Sequence, residues 1–207
     1  VLISGGGAQL LSWHEDFIAL LVAEGFRVVR LDNRDTGLSH LTGGPEDLDG
    51  GYGMAEMADD VIRVLGDLDV AAAHLVGHSM GGIVAQMTVL RHPSRVRSVS
   101  LWSTLPGKNS DHVLHDMPDT VTVPPTFPVE QLQDFAADYA RAQTGTYEPR
   151  EEWHREKARQ AFERGYHPTG FTRQWQAMLR APERIEALRD VTVPAFVVHG
   201  RDDLTLH

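Results

Sequence analysis

The most reactive pattern in the sequence is Gly77-His78-Ser79-Met80-Gly81, followed by Gly82, a Gly-x-Ser-x-Gly run. It falls where an apolar stretch, His74 to Gly77, gives way to an amphipathic one, Gly81 to His92, so a strand ends and a helix begins around the serine. A serine hydroxyl by itself is a weak nucleophile. It becomes useful when a sharp turn presents its Oγ, a base takes its proton and backbone N–H groups receive the charge on the attacked oxygen. The spacing meets the first need. Residues two positions either side of Ser79 must be tiny because their backbones crowd the turn, and a helix N-terminus favours developing negative charge. The plainer reading of the same run is a glycine-rich turn with a capping serine.

The remaining needs point to two other segments. A carboxylate that orients the base belongs just past a strand end, on the sheet edge where loops gather. His199-Gly200-Arg201-Asp202-Asp203 closes the apolar run that starts at Pro194, so Asp203 is the candidate acid and Asp202 the alternative; a solvated turn would also place two acids there. An oxyanion hole needs two aimed N–H groups. One is expected from Met80, the residue after the nucleophile, and the other from Gly5-Gly6-Gly7, most simply Gly6, where bare backbone can approach a substrate closely. A phosphate-binding loop competes for the three glycines, but the segment lacks the P-loop lysine and the dinucleotide spacing.

Eleven histidines occur, and none is placed by sequence as the base. His78 adjoins Ser79 and is expected to point away from its Oγ. His199 sits at a strand end, where packing or turn roles are commoner. His40, His92, His112, His115, His154 and His167 fall in loop or cap-like segments and are expected to be exposed; His207 is only four residues past Asp203. With no His-Glu-x-x-His or other tight ligand cluster, no metal and no cofactor are expected.

The elements that must position these groups alternate. Val1 to Ser4 reads as a strand, 13–24 as a helix on the spacing of Trp13, Phe17, Leu20 and Leu21, and Arg27 to Asp32 as a second strand. A helix beginning near Met54, the strand and helix around Ser79, and a strand over Val96 to Trp102 follow. Strand–helix alternation predicts an α/β fold with a mostly parallel sheet covered on both faces. The alternation stops at a proline-rich segment, 106–128. Three helical stretches at about 129–143, 150–164 and 170–180 then precede the strand from Pro194 to His199. The expected division is a core over 1–104, a helical insertion, or cap, over 105–181 and the core again over 182–207. Nine of the fifteen aromatic residues fall within 106–180, so Tyr139 and Trp175 are candidate substrate-binding residues, against the alternative that they pack the cap's own small core.

Composition narrows the classes. With 19 basic and 29 acidic residues among 207 the formal net charge is −10, which suits neither nucleic acid nor an anionic membrane surface, and 42% hydrophobic residues exclude a disordered chain. No apolar run approaches the length of a membrane span. There is no Cys, hence no disulfide frame and no thiolate chemistry. The expected partner is a small molecule and the expected location is the cytoplasm. The sequence opens inside a strand without Met and closes just after Asp203, which reads as a fragment lacking N-terminal strands and a C-terminal strand and helix.

The chain resembles the α/β-hydrolases. Gly5-Gly6-Gly7 with Trp13, Asp32-Asn33-Arg34-Asp35-Thr36-Gly37-Leu38-Ser39 and Gly77-His78-Ser79-Met80-Gly81-Gly82 are similar to the serine-nucleophile branch of actinobacterial aclacinomycin methylesterase-like hydrolases. The resemblance implies Ser79 as nucleophile, Asp203 as acid, Gly6 and Met80 as oxyanion donors, and a structural role for Arg34 and Asp35. It implies a catalytic His in a Gly-x-His motif some 25–30 residues after the acid, past His207. It also implies hydrolysis of a carboxylic ester through an acyl-enzyme, with a methyl ester of an apolar, polyketide-like substrate as one form. Lactone or C–C bond hydrolysis, perhydrolysis and a non-catalytic binding protein on the same scaffold are the competing functions. A haloalkane dehalogenase is disfavoured, because Ser79 stands where its Asp nucleophile would be.

Overall fold

The structure is a computed structural model that describes residues 1–107, 125–145 and 147–203. His112, His115 and His207 lie outside the described residues, as does most of the proline-rich segment. Five strands, β1 (Leu2–Ile3), β2 (Arg30–Leu31), β3 (Ala73–His78), β4 (Val96–Trp102) and β5 (Ala195–Val198), form one sheet in the order β2-β1-β3-β4-β5, and every pairing is parallel. The chain builds outward from β1 to β2, then returns to β3 and builds the other way. The strand order therefore reverses between β1 and β3, and the crevice beyond the carboxyl ends of those strands is where such sheets bind ligands.

The register aligns that edge. Ile3 pairs with Gly77, His78 with Trp102, and Trp102 with Val198, so the segments after β1, β3, β4 and β5 all leave the sheet side by side. β2 is shorter than the expected 27–32. Its partner β1 offers only Leu2 and Ile3 for pairing, and residues 26 and 27 are exposed.

Three helices, α1 (Glu15–Ala23), α2 (Met54–Asp67) and α3 (Met80–Arg91), alternate with these strands, and α2 and α3 build the core. α2 opens where Glu56 Oε2 accepts the Gly53 N–H at 2.8 Å, and its stripe of Met54, Met57, Ala58, Val61 and Leu65 has helical spacing and is buried. α3 is buried nearly all round, from Met80 through Gln86, which suits its central place. Their side chains meet Ile3, Leu75, Val96 and Val99 in one continuous core.

Between β4 and β5 run α4 (Val129–Gln143), α5 (Glu151–Gly165) and α6 (Pro168–Leu179), close to the three expected stretches. α4 and α5 pack mainly on each other. α6 is the anchor to the sheet side: Thr169, Thr172, Arg173, Gln174, Ala177 and Met178 are buried. Arg173 pairs with Asp35 at 2.9 Å, both nearly inaccessible, and donates to the carbonyls of Gly44 and Asp47. A short α7 (Ile185–Arg189) precedes β5. At five residues it is too brief to show a period in sequence. No helix among the described residues is long and apolar enough to cross a membrane.

Candidate active site

Ser79 stands at the junction of β3 and α3 with φ 54° and ψ −123°, a conformation that costs a non-glycine residue about 1–3 kcal/mol. The surroundings hold it there. The Ser79 N–H donates to the Trp102 carbonyl at 3.0 Å, and its own carbonyl accepts the Gly82 N–H at 2.9 Å and the Thr104 hydroxyl at 2.8 Å. The glycines are sterically required. A Cβ on Gly77 would overlap the Gly81 carbonyl, and one on Gly81 would overlap the backbone of Ile3 and Ser4 in the neighbouring strand. A Cβ on Gly82 would press on the Thr104 side chain.

The two expected oxyanion donors border the same space. Met80 begins α3, and no acceptor among the described residues takes its N–H, as befits the first turn of a helix. Gly6 lies in a turn closed by the Ala8 N–H on the Gly5 carbonyl at 3.2 Å, with Gly7 at φ 68°. Its N–H likewise has no acceptor among the described residues. A Cβ placed on Gly5 would stand 3.2 Å from Ser79 Cβ, so this turn passes directly against the serine.

The two candidate acids separate. Asp203 is the more enclosed, with 13% of its side chain exposed, and pairs with His199 Nε2 at 3.3 Å. Its charge is felt at both His78 and Tyr139, where it opposes the lowering of the His78 pKa by burial and adds to the raising of the Tyr139 pKa by burial. Asp202 is exposed and turned toward Gly145, where a Cβ would stand 3.0 Å from its Oδ2.

Several expectations about histidine need correction. His78 is among the residues lining the same cavity as Ser79, and a Cβ on Gly5 would be 3.5 Å from its Nδ1. His92, His154 and His167 are half-buried rather than exposed: His92 bonds Asp59 at 2.7 Å, His167 the Gly37 carbonyl at 3.1 Å, and His154 lines the cavity. Only His40 of the described loop histidines is exposed. His199 lies 3.3 Å from the Asp203 carboxylate, beyond the packing or turn role expected of it.

A cavity of about 1190 Å³ lies over Ser79 between the strand ends and the inserted helices. Tyr139 and Trp175 both line it. Trp175 also packs on the main core, rather than on a separate small core of the inserted helices, and its ring centre lies 6.0 Å from that of Phe171; Tyr139 is 54% exposed on α4. Aromatic character is not confined to the insertion. Trp13, Phe17 and Trp102, all from the sheet side, form a mutual cluster with ring centres 5.3–6.0 Å apart and line the same cavity. Among the described residues no group of three or more His, Asp or Glu is placed to hold a metal ion.

Residues that sequence reading passed over tie the insertion to the site. Gln174, fully buried on α6, accepts the Gly7 N–H at 2.7 Å. Gln9 donates to the carbonyls of Ala161 and Gly165, and Arg164 reaches both Gln9 and Asp32. The available signal was a polar residue on the buried stripe of α6, where Gln174, Ala177 and Met178 share one face.

The chain matches the model of the alpha/beta hydrolase fold family over residues 1–207. It is similar to a putative carbamate hydrolase RutD of Serratia proteamaculans, 30% identical over 99% of this chain and 73% of that protein. It is similar to the rhodomycin D methylesterase DnrP of Streptomyces peucetius, 38% identical over 49% of this chain and 33% of that protein. Against several of the curated relatives it matches, the chain thus spans well under half of their length. Among solved structures it superposes on an enol-lactonase from Burkholderia xenovorans LB400 with a TM-score of 0.68 and 26% identity, over 97% of this chain and 71% of that one.

Proposed function

Because this chain belongs to the alpha/beta hydrolase fold family, we propose that it is a serine hydrolase that cleaves a small-molecule carboxylic ester through an acyl-enzyme on Ser79. The observation behind this reading is the left-handed backbone of Ser79, held by glycines that tolerate no side chain, at the floor of a cavity of about 1190 Å³. A strained non-glycine residue maintained by its surroundings is a mark of function. In the proposed reaction Ser79 Oγ attacks the ester carbonyl and loses its proton to a histidine oriented by Asp203. The N–H groups of Gly6 and Met80 receive the oxyanion. The alcohol leaves with that proton, and water then attacks the acyl-enzyme to release the acid and restore Ser79.

The rhodomycin D methylesterase relative and the aromatic cavity wall favour an apolar ester, with a methyl ester as the form to test first. The base is expected from the Gly-x-His motif implied by the family resemblance. His199, already on Asp203, is the alternative that its 3.3 Å contact favours, and turnover of His199→Asn decides between them. The test of the function is covalent labelling by a fluorophosphonate, with turnover of p-nitrophenyl and methyl esters, in the protein expressed from its natural reading frame. Ser79→Ala is expected to abolish both, at a cost on the order of 10⁶ in kcat. Retention of more than a tenth of the turnover would sink the assignment. Turnover that needs added peroxide, or that favours lactones, would move the chemistry to another reaction of the same fold.

A further inference from the structure

We propose that Gln174 is a positioning residue for the oxyanion hole: from the inserted helix α6, its amide sets the orientation of the glycine turn that presents the Gly6 N–H beside Ser79. The inference rests on the reading of Ser79 as nucleophile and Gly6 as donor. Gln174 is fully buried and makes three hydrogen bonds of 2.7 Å. Its Oε1 accepts the Gly7 N–H, and its Nε2 donates to the Arg34 carbonyl and to the Thr36 hydroxyl. The chemistry of the partners dictates which end of the amide is which, because a carbonyl can only accept and an N–H can only donate. The side chain is thus pinned by the 34–36 loop and in turn pins the turn at 5–8.

The turn needs an external hold. Three consecutive glycines give residues 5–7 the widest backbone freedom of any residue type. Gly7 sits at φ 68°, which places the Gly6–Gly7 peptide in one of two orientations that differ by a flip of that plane. With glycine on both sides the alternative is open sterically. The hydrogen bond from Gly7 to Gln174 selects the observed orientation, and the Ala8 N–H on the Gly5 carbonyl sets the preceding plane. In a trans peptide the Gly6 N–H points opposite to the Gly5 carbonyl, so it leaves the turn on its outer side. Phe171, one turn before Gln174 on α6, lies over both glycines: a Cβ on Gly6 would be 3.0 Å from its ring. The turn is therefore gripped by two residues of a helix more than 160 positions away. The Gly6 N–H lies in the Gly5–Gly6 plane, so Gln174 acts on it by fixing the adjoining Gly6–Gly7 plane and the seat of the whole turn on α6; a donor held in place stabilises a developing oxyanion without reorganisation.

The experiment compares Gln174→Met, which has similar length and no amide, with Gln174→Glu, which keeps an oxygen for the Gly7 N–H. Ser79→Ala is assayed in parallel on the same p-nitrophenyl ester. Gln174→Met is expected to lower kcat roughly 10- to 100-fold with KM within about twofold. It is expected to weaken a trifluoromethyl ketone, which forms an oxyanion on the serine, by a similar factor. Gln174→Glu is expected to recover part of that kcat, leaving the loss below tenfold, because one carboxylate oxygen still takes the Gly7 N–H while the other can no longer donate to the Arg34 carbonyl. A folded Gln174→Met protein with kcat within twofold of the parent, or with kcat and KM changed while the ketone binds as before, would overturn the proposal. Should Gln174→Met not fold, Gln174→Glu decides: a loss as large as tenfold in kcat would count against it. Turnover that survives Ser79→Ala refutes the nucleophile, while Ser79-dependent turnover indifferent to Gln174 refutes this inference alone.

Discussion

Alanine at Gly81 and alanine at Gly66 should have opposite effects, although both positions lie in helices. At Gly81 a new Cβ would overlap the backbone of Ile3 and Ser4. Backbone atoms have no alternative rotamer, so α3 must shift by about 1 Å to restore van der Waals contact, and the upper end of the usual overpacking cost, ~3 kcal/mol, applies. Helix propensity returns ~1 kcal/mol. The net loss of about 2 kcal/mol corresponds to roughly 4–8 °C in Tm for a chain of this size. At Gly66, in the exposed last turn of α2, a Cβ meets nothing within 4 Å. There alanine should stabilise by about 0.5–1 kcal/mol, or roughly 1–4 °C. Activity should separate further. Gly81 is two residues from Ser79, and a shift of about 1 Å at a reacting group costs on the order of 10²-fold in rate. Thermal unfolding and ester turnover of both variants provide the assay. A Gly81→Ala protein with the parent's Tm and kcat, or a Gly66→Ala protein that loses stability alongside it, would refute the steric account of the serine turn.

Asp203→Asn should lower kcat by about 10⁴-fold by misorienting the base, and Asp202→Asn by far less; the reverse order would show that the exposed carboxylate is the acid. Trp175→Ala should both lower Tm and change relative kcat/KM between small and bulky esters, because the ring packs on the core and lines the cavity, whereas Tyr139→Ala should change selectivity with little change in Tm. Equal effects of the two on Tm would contradict this division. The Lys157 ammonium holds Glu15 down to about pKa 2, below the usual carboxylate range near 4, so the stabilisation from this pair is complete above about pH 5 and is lost as pH falls from about 4 through 2. Glu15 is 55% exposed, which keeps the effect under about 1 kcal/mol. In Lys157→Met, urea midpoints measured at pH 6 and pH 3 should differ less than in the parent, and an unchanged difference would refute the assignment.

The features legible in the sequence are those with local physical causes. Gly77, Gly81 and Gly82 announce a turn in which side chains cannot fit, and the structure supplies the obstructing atoms. The bounds of α4 match the expected 129–143 because its apolar residues keep a helical period without help from neighbours. Parallel strand alternation predicted the sheet, and the register of Ile3 on Gly77 brings Gly5 of the glycine turn beside Ser79. What sequence reading left open depends on direction and distance in space. Asp202 and Asp203 are adjacent and chemically alike; they differ only because one faces the α4–α5 turn and the other His199, on the far side of a loop that periodicity does not describe. Gln174 meets Gly7 across 167 positions, and Trp13 meets Trp102 across the sheet edge. Local propensity extends only a few residues, so contacts of that span are set by how strands align and helices pack, and only the folded chain decides them.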